Sequence, residues 1–518
     1  MLVAPAGYGK TILAQQWLKP QRHAWYRASP SSTDVAALAL GLAQTAAELA
    51  PQAPRRLADR LSRFEDPRSH VLELGELVAA ELAKWPSNAW LAIDDYHLMM
   101  DSEAASAFFT AFQAATSTPM LLTSRRRPEW ASARRLLYGE IYELGQAALA
   151  MTEAEAHRVL GDVSVASAGG LVALAQGWPA VIGLAAHAHT SIPVEQAMPE
   201  TLYDYFAEEL YNESDAELRL ALCAFSIMPS LTDATASRVF GAARADYLLN
   251  EAIRLGFVVS VQRGVREMHP LARTFLATKF KEVEVELRED LVNRVFDACL
   301  SIAAWDDAYT LIELTGSATL LPALVESSLT DVLAASRIAT LESWLDFGRR
   351  HGVHSPVLEL AEAEVSFRQG LHQKTQALAE RAADQLVAER PLYAQARLRA
   401  GQAAYFNDRH SEALSNFARA KESSGDGAVL RDALWGSFIT AIDLEDPSAL
   451  QFLEAYEQLP EHGADEVIRA ATGRLSVGYR QGRLSAALES VPSVLYLVER
   501  AEQPMVRSAF WNAYGWAL

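Results

Sequence analysis

The feature that most constrains the fold of this chain is a glycine-rich loop close to its first residue. Residues 4–11 read A-P-A-G-Y-G-K-T, an alanine variant of the phosphate-loop motif G-x-x-x-x-G-K-[ST]. The loop lies between the apolar pair Leu2 and Val3 and the helical pattern of residues 12–18. Because phosphate loops lie where a strand passes into a helix, this context predicts a phosphate-binding loop on an α/β sheet.

The residue types of the loop suit a nucleoside triphosphate with Mg2+. Backbone N–H groups exposed by Gly7 and Gly9 can surround a phosphate, Lys10 can reach its β- and γ-oxygens, and the Thr11 hydroxyl can hold Mg2+. The alternative is a chance match within a turn. The predicted binding residues are Pro5, Ala6, Gly7, Tyr8, Gly9, Lys10, Thr11 and Ile12.

A second motif favours nucleotide binding over chance. Residues 90–93, W-L-A-I, are typical of a buried parallel strand, and they are followed by Asp94 and Asp95. Open α/β sheets place ligands at this edge of the strands. We expect Asp94 to hold Mg2+ and Asp95 to orient the attacking water, so that Asp95 and Lys10 are the predicted catalytic residues. A solvated acidic pair at a strand end is the alternative.

A third strand-like run places a cation near the same edge. Residues 120–123, M-L-L-T, are followed by Ser124 and Arg125. We predict that Arg125 senses the γ-phosphate, with Arg126 and Arg127 as competitors and a surface basic cluster as the alternative.

Composition narrows the class of protein. The 518 residues are 50% apolar and carry a net charge of −19, so the chain lacks the basic field that drives nonspecific nucleic-acid binding. Cys223 and Cys299 lie in apolar helical patterns, which indicates reduced core thiols and a cytoplasmic protein. The stretch 163–194 has no charged residue, but G-W-P at 177–179 interrupts it, and we interpret it as buried helices.

The pattern of strands and helices predicts a multidomain protein. Strand and helix signals alternate up to about residue 145, with helices expected at 34–49, 69–84 and 102–115. A candidate recognition segment at 244–255 is nearly neutral, which favours packing within the chain over DNA reading. The predicted domains are an α/β P-loop NTPase over 1–150, a helical domain over 151–211, a winged-helix domain over 212–283 and all-α, tetratricopeptide-like superhelical repeats over 284–518.

Weak self-similarity supports the repeats. F-R-Q-G at 367–370 recurs as Y-R-Q-G at 479–482, an offset of about three repeats of roughly 34–40 residues. Such arrays form concave binding surfaces. A generic alanine-rich helical domain is the alternative. Residues with the small and aromatic spacing of a helical pair are Gly401, Ala404, Asp408, Ala413, Phe417 and Ala420.

The order of these motifs resembles one family. They are the phosphate loop, I-D-D-Y-H at 93–97, T-S-R at 123–125, G-W-P at 177–179, M-H-P-L at 268–271 and the repeats. This order resembles the signal-transducing ATPases with numerous domains (STAND), and among them the large ATP-dependent, MalT-like activators of the LuxR type. The resemblance implies ATP or ADP with Mg2+ as ligands. It also implies that Pro179 lines the adenine side and that His269 contacts the β-phosphate of ADP.

The same resemblance implies a switch. ADP would hold the domains closed, a small-molecule or protein inducer on the repeats would favour an open ATP form that self-associates, and slow hydrolysis would reset it. Two departures are expected to matter: three residues precede the loop, where the family has a longer segment, and no basic helix-turn-helix follows the repeats. We therefore expect an incomplete purine pocket and no direct DNA binding. The alternatives are an interaction scaffold with a degenerate or structural nucleotide site and, more distantly, a metabolic kinase or ATPase.

Overall fold

A computed structural model describes the chain apart from residues 62–63, 65, 84, 161–174, 188–203, 205–206, 209, 263, 387–390, 425–426, 461–462 and 502–503. The chain divides into two compact units. The first comprises Met1–Ala58 and Pro67–Ser328, and the second comprises Asp59–Asp66 and Leu329–Leu518.

The first unit begins with a five-stranded parallel sheet. Its strands are β1 (Leu2–Val3), β2 (Arg22–Arg27), β3 (Ala89–Asp94), β4 (Met120–Ser124) and β5 (Leu144–Gly145), in the spatial order β2-β3-β4-β1-β5. The predicted α/β class is therefore confirmed. β4 lies between β1 and β3, so the phosphate loop after β1 and the aspartates at the end of β3 flank one central strand.

Helices cover this sheet, and side-chain caps fix the starts of two long ones. Asp34 accepts a hydrogen bond from the Ala36 N–H at 2.9 Å, and Ser102 accepts one from the Ala105 N–H at 3.2 Å. Both capped helices were expected from sequence. The helices are α1 (Lys10–Leu18), α2 (Val35–Thr45), α3 (Ala53–Leu61), α4 (Val71–Glu81), α5 (Glu103–Ala115), α6 (Ala133–Leu137) and α7 (Gln146–Leu149).

The predicted helical domain over 151–211 and the charge-free run 163–194 lie largely outside the described residues. Within them the structure describes α8 (Glu153–Leu160) and α9 (Pro179–His187). No helix of the described part of the chain is long and apolar enough to cross a membrane.

A winged helix follows. It consists of α10 (Ala216–Ile227), β6 (Leu231–Thr232), α11 (Asp233–Phe240), α12 (Ala242–Arg254), β7 (Val258–Gln262) and β8 (Val265–Met268). The three strands pair antiparallel in the order β6-β8-β7. The predicted winged-helix fold is confirmed.

All remaining described elements are helical, as predicted. They are α13 (Pro270–Glu282), α14 (Val285–Ser301), α15 (Trp305–Thr315), α16 (Leu321–Ala334), α17 (Ile338–Arg350), α18 (Pro356–Arg368), α19 (His372–Gln385), α20 (Pro391–Phe406), α21 (His410–Ser423), α22 (Gly427–Asp443), α23 (Ala449–Glu457), α24 (Ala464–Arg480), α25 (Leu484–Ser490), α26 (Leu495–Val498) and α27 (Pro504–Ala517). Short 3₁₀ turns join several of them.

A local motif shows the repeat directly. Two residues beyond the ends of alternate helices the backbone takes a positive φ, and these positions are 33–38 residues apart. The next N–H in each case closes the turn, as in Leu371 N to Ser366 O at 2.9 Å and Arg483 N to Gly478 O at 2.8 Å. The positions are Ala303, Ser336, Gly370, Asp408, Glu445 and Gly482. The two F/Y-R-Q-G segments predicted from sequence are two of these turns.

Candidate nucleotide site

Two glycines shape the loop between β1 and α1. Gly7 and Gly9 have φ values of +81° and +69°, a region that favours glycine. Gly9 stands at the start of α1, so the helix N-terminus faces the space the loop surrounds. The loop therefore has the backbone geometry that a phosphate cradle needs.

Lys10 is held over this loop. Its Nζ donates a hydrogen bond to the Pro5 carbonyl oxygen at 2.8 Å, and the side chain is buried. Burial lowers the pKa of Lys10, and the nearby Asp95 carboxylate partly opposes that shift. A mostly desolvated ammonium is a strong partner for a phosphate oxygen. Ile12, also predicted to bind, is 42% exposed on the next turn.

Asp94 joins the loop to the centre of the sheet. The Thr11 hydroxyl donates to its Oδ1 at 3.0 Å, and the Thr123 hydroxyl on β4 donates to the same oxygen. Burial, followed by the neighbouring charge of Asp95, raises the pKa of Asp94. A buried carboxylate in this position is stabilised by a cation.

The donor set around Thr11 and Asp94 fits Mg2+. One carboxylate and one hydroxyl, completed by phosphate oxygens and water, is the arrangement that Mg2+ adopts with nucleotides. Among the described residues there is no group of three histidine, cysteine or acidic side chains placed for a metal of their own.

Asp95 has different contacts from Asp94. Its φ is +55°, a left-handed conformation that aspartate tolerates better than most residues, and its N–H donates to the Thr123 hydroxyl at 3.0 Å. One oxygen of its side chain lies 3.5 Å from Arg27 Nη2, and the other lies 3.9 Å from His97 Nδ1. Burial lowers the pKa of His97 to about 4, so this histidine is neutral near pH 7.

The three consecutive arginines differ in their partners. Arg126 pairs with Asp101 at 2.8 Å, and Arg127 pairs with Glu143 at 2.6 Å. Arg125 has no carboxylate partner among the residues that the structure describes, and its charge acts on both Lys10 and His97. Because Arg126 and Arg127 are already paired with carboxylates, Arg125 is the better candidate of the three for a contact with phosphate.

The G-W-P segment lies against the loop. The Trp178 indole N–H donates to the Ala6 carbonyl at 3.0 Å, and the Ala180 N–H donates to the Gly7 carbonyl at 3.2 Å. The Trp178 ring also stacks on Tyr8, with 6.2 Å between centroids. Pro179, the first residue of α9, is therefore beside the phosphate loop.

His269 approaches the loop from the winged helix. A Cβ on Gly7 would stand 2.9 Å from His269 Nε2 and 2.5 Å from Trp178 Nε1, so only glycine permits this approach. Burial lowers the pKa of His269 to about 4. Its Nδ1 accepts the Leu271 N–H at 3.2 Å, which leaves the proton of the neutral ring on Nε2. His269 thus presents an N–H donor to the loop.

Sequence reasoning missed two residues of this cluster. Arg27 ends β2, a strand that was not predicted because polar and charged residues occupy half of it. Its Nη2 lies 2.9 Å from Oε1 of Glu267 on β8. A charged residue at the end of a short strand and another within a β-hairpin carry no motif, so no signal in the sequence pointed to either residue.

Comparison with known proteins places the chain among similar sequences and folds. A family model for the MalT winged helix domain matches residues 207–288. The HTH-type transcriptional regulator MalT of Vibrio cholerae serotype O1 is 27% identical over 346 residues, which cover 62% of this chain and 38% of that regulator. The chain is similar to the MalT regulators. The protein of the same name from Yersinia pestis (strain Pestoides F) is 27% identical over 311 residues, 56% of this chain and 34% of its own length.

The fold has a solved counterpart. A STAND protein with a tetratricopeptide repeat sensor from Pyrococcus horikoshii superposes with a TM-score of 0.68 at 14% identity, over 99% of this chain and 77% of that one. The predicted resemblance to MalT-like STAND proteins is confirmed. The chain spans well under half the length of the two MalT regulators.

Proposed function

We propose that this chain is the nucleotide-dependent switch of a MalT-like transcriptional regulator. The observation that carries the proposal is the meeting of three segments at Gly7: the phosphate loop, Trp178 and His269 of the winged helix. A nucleotide in the loop would touch all three, so its phosphates would decide whether these segments stay together.

The site residues predicted from sequence take the following roles in this proposal. Lys10 and the loop residues 5–12 bind phosphates, Pro179 lines the adenine side, and His269 donates Nε2–H to the β-phosphate of ADP. Thr11 and Asp94 would hold Mg2+, which neutralises charge on the β- and γ-phosphates. Asp95 accepts a hydrogen bond from the attacking water, and Arg125 senses the γ-phosphate.

The remaining chain supplies sensing and assembly. We propose that the repeats over 284–518 bind a small-molecule or protein inducer, and that the open ATP form self-associates. In the winged helix Arg244 pairs with Glu217 and Arg254 with Glu251, which supports packing rather than DNA reading. Any contact with DNA would then come from outside these residues.

Nucleotide binding and sizing together test the proposal. Fluorescent ADP should bind with Mg2+ and leave the protein monomeric in light scattering, whereas a non-hydrolysable ATP analogue should favour larger species. An unliganded protein under both conditions would instead support an interaction scaffold, and rapid turnover with a small acceptor would support a kinase.

The Asp95→Asn variant should hydrolyse ATP at least about tenfold more slowly while binding it normally. The amide keeps the size of the side chain but is a poorer acceptor for the attacking water, and Asp94 still serves the metal. Single-turnover hydrolysis and fluorescent-ATP titration measure the two effects separately. Asp101→Asn, an exposed carboxylate on the next turn, is the control. Equal turnover in both variants contradicts the role of Asp95.

The His269→Ala variant should shift the protein toward the open form by about tenfold to a hundredfold. The lost bond to ADP is worth roughly 1–3 kcal/mol and exists only in the closed state. Sizing without inducer at saturating ADP measures the shift. Alanine also removes the cap of α13, so His269→Asn is the matched variant, because asparagine can cap a helix but cannot reach the phosphate. If neither variant self-associates at saturating ADP, the role of His269 is structural.

A further inference from the structure

The wing, which is the antiparallel pair β7 and β8, brings a third carboxylate to an already acidic edge of the sheet. Glu267 on β8 is mostly buried, and its neighbours include Asp94 and Asp95. Burial, together with the charges of these two aspartates, raises the pKa of Glu267, while Arg27 opposes the shift. The negative charges of Glu267 and the two aspartates repel each other, so docking of the wing depends on positive charge.

Arg27 supplies that charge from the end of β2. Its Nη2 lies 2.9 Å from Glu267 and 3.5 Å from Asp95, so one guanidinium group contacts the wing and the sheet edge. The positive charge of Lys10 also attracts Asp94, Asp95 and Glu267, but a phosphate in the loop would occupy this ammonium group. Arg273 is near Glu267 too, yet its Nη1 already donates to the Ser226 and Met228 carbonyls.

We propose that Arg27 is a positioning residue that lets Glu267 dock beside Asp95 and so couples the winged helix to the catalytic edge. The proposal rests on the nucleotide switch above. Its consequence is specific: the wing is held less by attraction between Arg27 and Glu267 than by relief of repulsion among three carboxylates. An ordinary surface ion pair, by contrast, contributes about 0–1 kcal/mol and fails equally whichever partner is removed.

A set of three variants separates these two cases. Arg27→Ala should release fluorescent ADP at least about tenfold faster, because Glu267 is then repelled from the sheet. Glu267→Gln should change the rate by less than about threefold, because it removes the attraction and the repulsion together. Arg27→Ala with Glu267→Gln should return the rate to within about threefold of the unmodified chain. Arg254→Ala, which breaks an exposed pair within α12, is the control.

A second readout needs no nucleotide. Small-angle scattering of the nucleotide-free protein should give a larger radius of gyration for Arg27→Ala than for the unmodified chain, and the double variant should reverse the increase. If the unmodified chain fails to bind ADP, the proposed switch is wrong, but the scattering still decides the role of Arg27. A double variant that stays as open as Arg27→Ala, in scattering and in ADP release alike, overturns the proposal.

Discussion

Replacement of Lys10 by alanine is expected to weaken ATP binding at least about a hundredfold while leaving the fold intact. The ammonium makes charge-assisted bonds to phosphate that are worth about 1.5–3 kcal/mol each, and tenfold in affinity corresponds to about 1.4 kcal/mol. Within the protein the ammonium donates a hydrogen bond to the Pro5 carbonyl of the same loop, so little structure outside the loop depends on it. Fluorescent-ATP titration measures the loss, and circular dichroism checks the fold.

A matched lysine stands at the C-terminal end of the same helix. Lys19 is exposed just after α1, so Lys19→Ala removes an equal charge from the same helix away from the loop. The Lys19→Ala variant should bind ATP with the affinity of the unmodified chain, and this result would exclude a general effect of net charge. Unchanged affinity in Lys10→Ala, with a native spectrum, would remove the phosphate-loop assignment and with it the switch.

The residues that belong to sequence motifs could be placed together from sequence alone, because each motif lies next to a recognisable strand. The loop, the aspartates after β3 and the arginine after β4 each follow a buried strand, and parallel strands end at one edge. His269 and Pro179 came only from a family resemblance, since nothing in their local sequence says that they reach Gly7. Arg27 and Glu267 lie 240 residues apart and meet through domain packing, which no local pattern encodes.

The helical repeats could be recognised only in part from sequence, because residue identity varies at the turn that repeats. A positive φ after every second helix favours glycine, but the turn needs only one residue that tolerates the conformation. Glycine occupies this turn at 370 and 482, and these were the two positions that the sequence comparison found. Alanine, serine, aspartate and glutamate take the same conformation in the other four turns, so the period is carried by backbone hydrogen bonds rather than by residue identity.

Packing inside the repeats leads to the second large effect. Phe417 on α21 is fully buried, and its ring fits against two glycines, Gly401 on α20 and Gly436 on α22. A Cβ on either glycine would stand 2.5–2.7 Å from the ring. One aromatic side chain therefore fills the space that two glycines leave between neighbouring helices.

The Phe417→Ala variant should destabilise this part of the array by about 3–5 kcal/mol, because the side chain is lost and the glycines leave the cavity unfilled. Hydrogen–deuterium exchange of α20–α22 should accelerate more than about a hundredfold, since tenfold corresponds to about 1.4 kcal/mol. Phe406→Ala, which truncates a 54% exposed ring at the end of α20, is the control and should shift stability by about 0.5 kcal/mol. Phe417→Leu should fall between the two. Equal exchange in the Phe417 and Phe406 variants would mean that the ring does not hold these helices together, and the repeat core would then have to lie elsewhere.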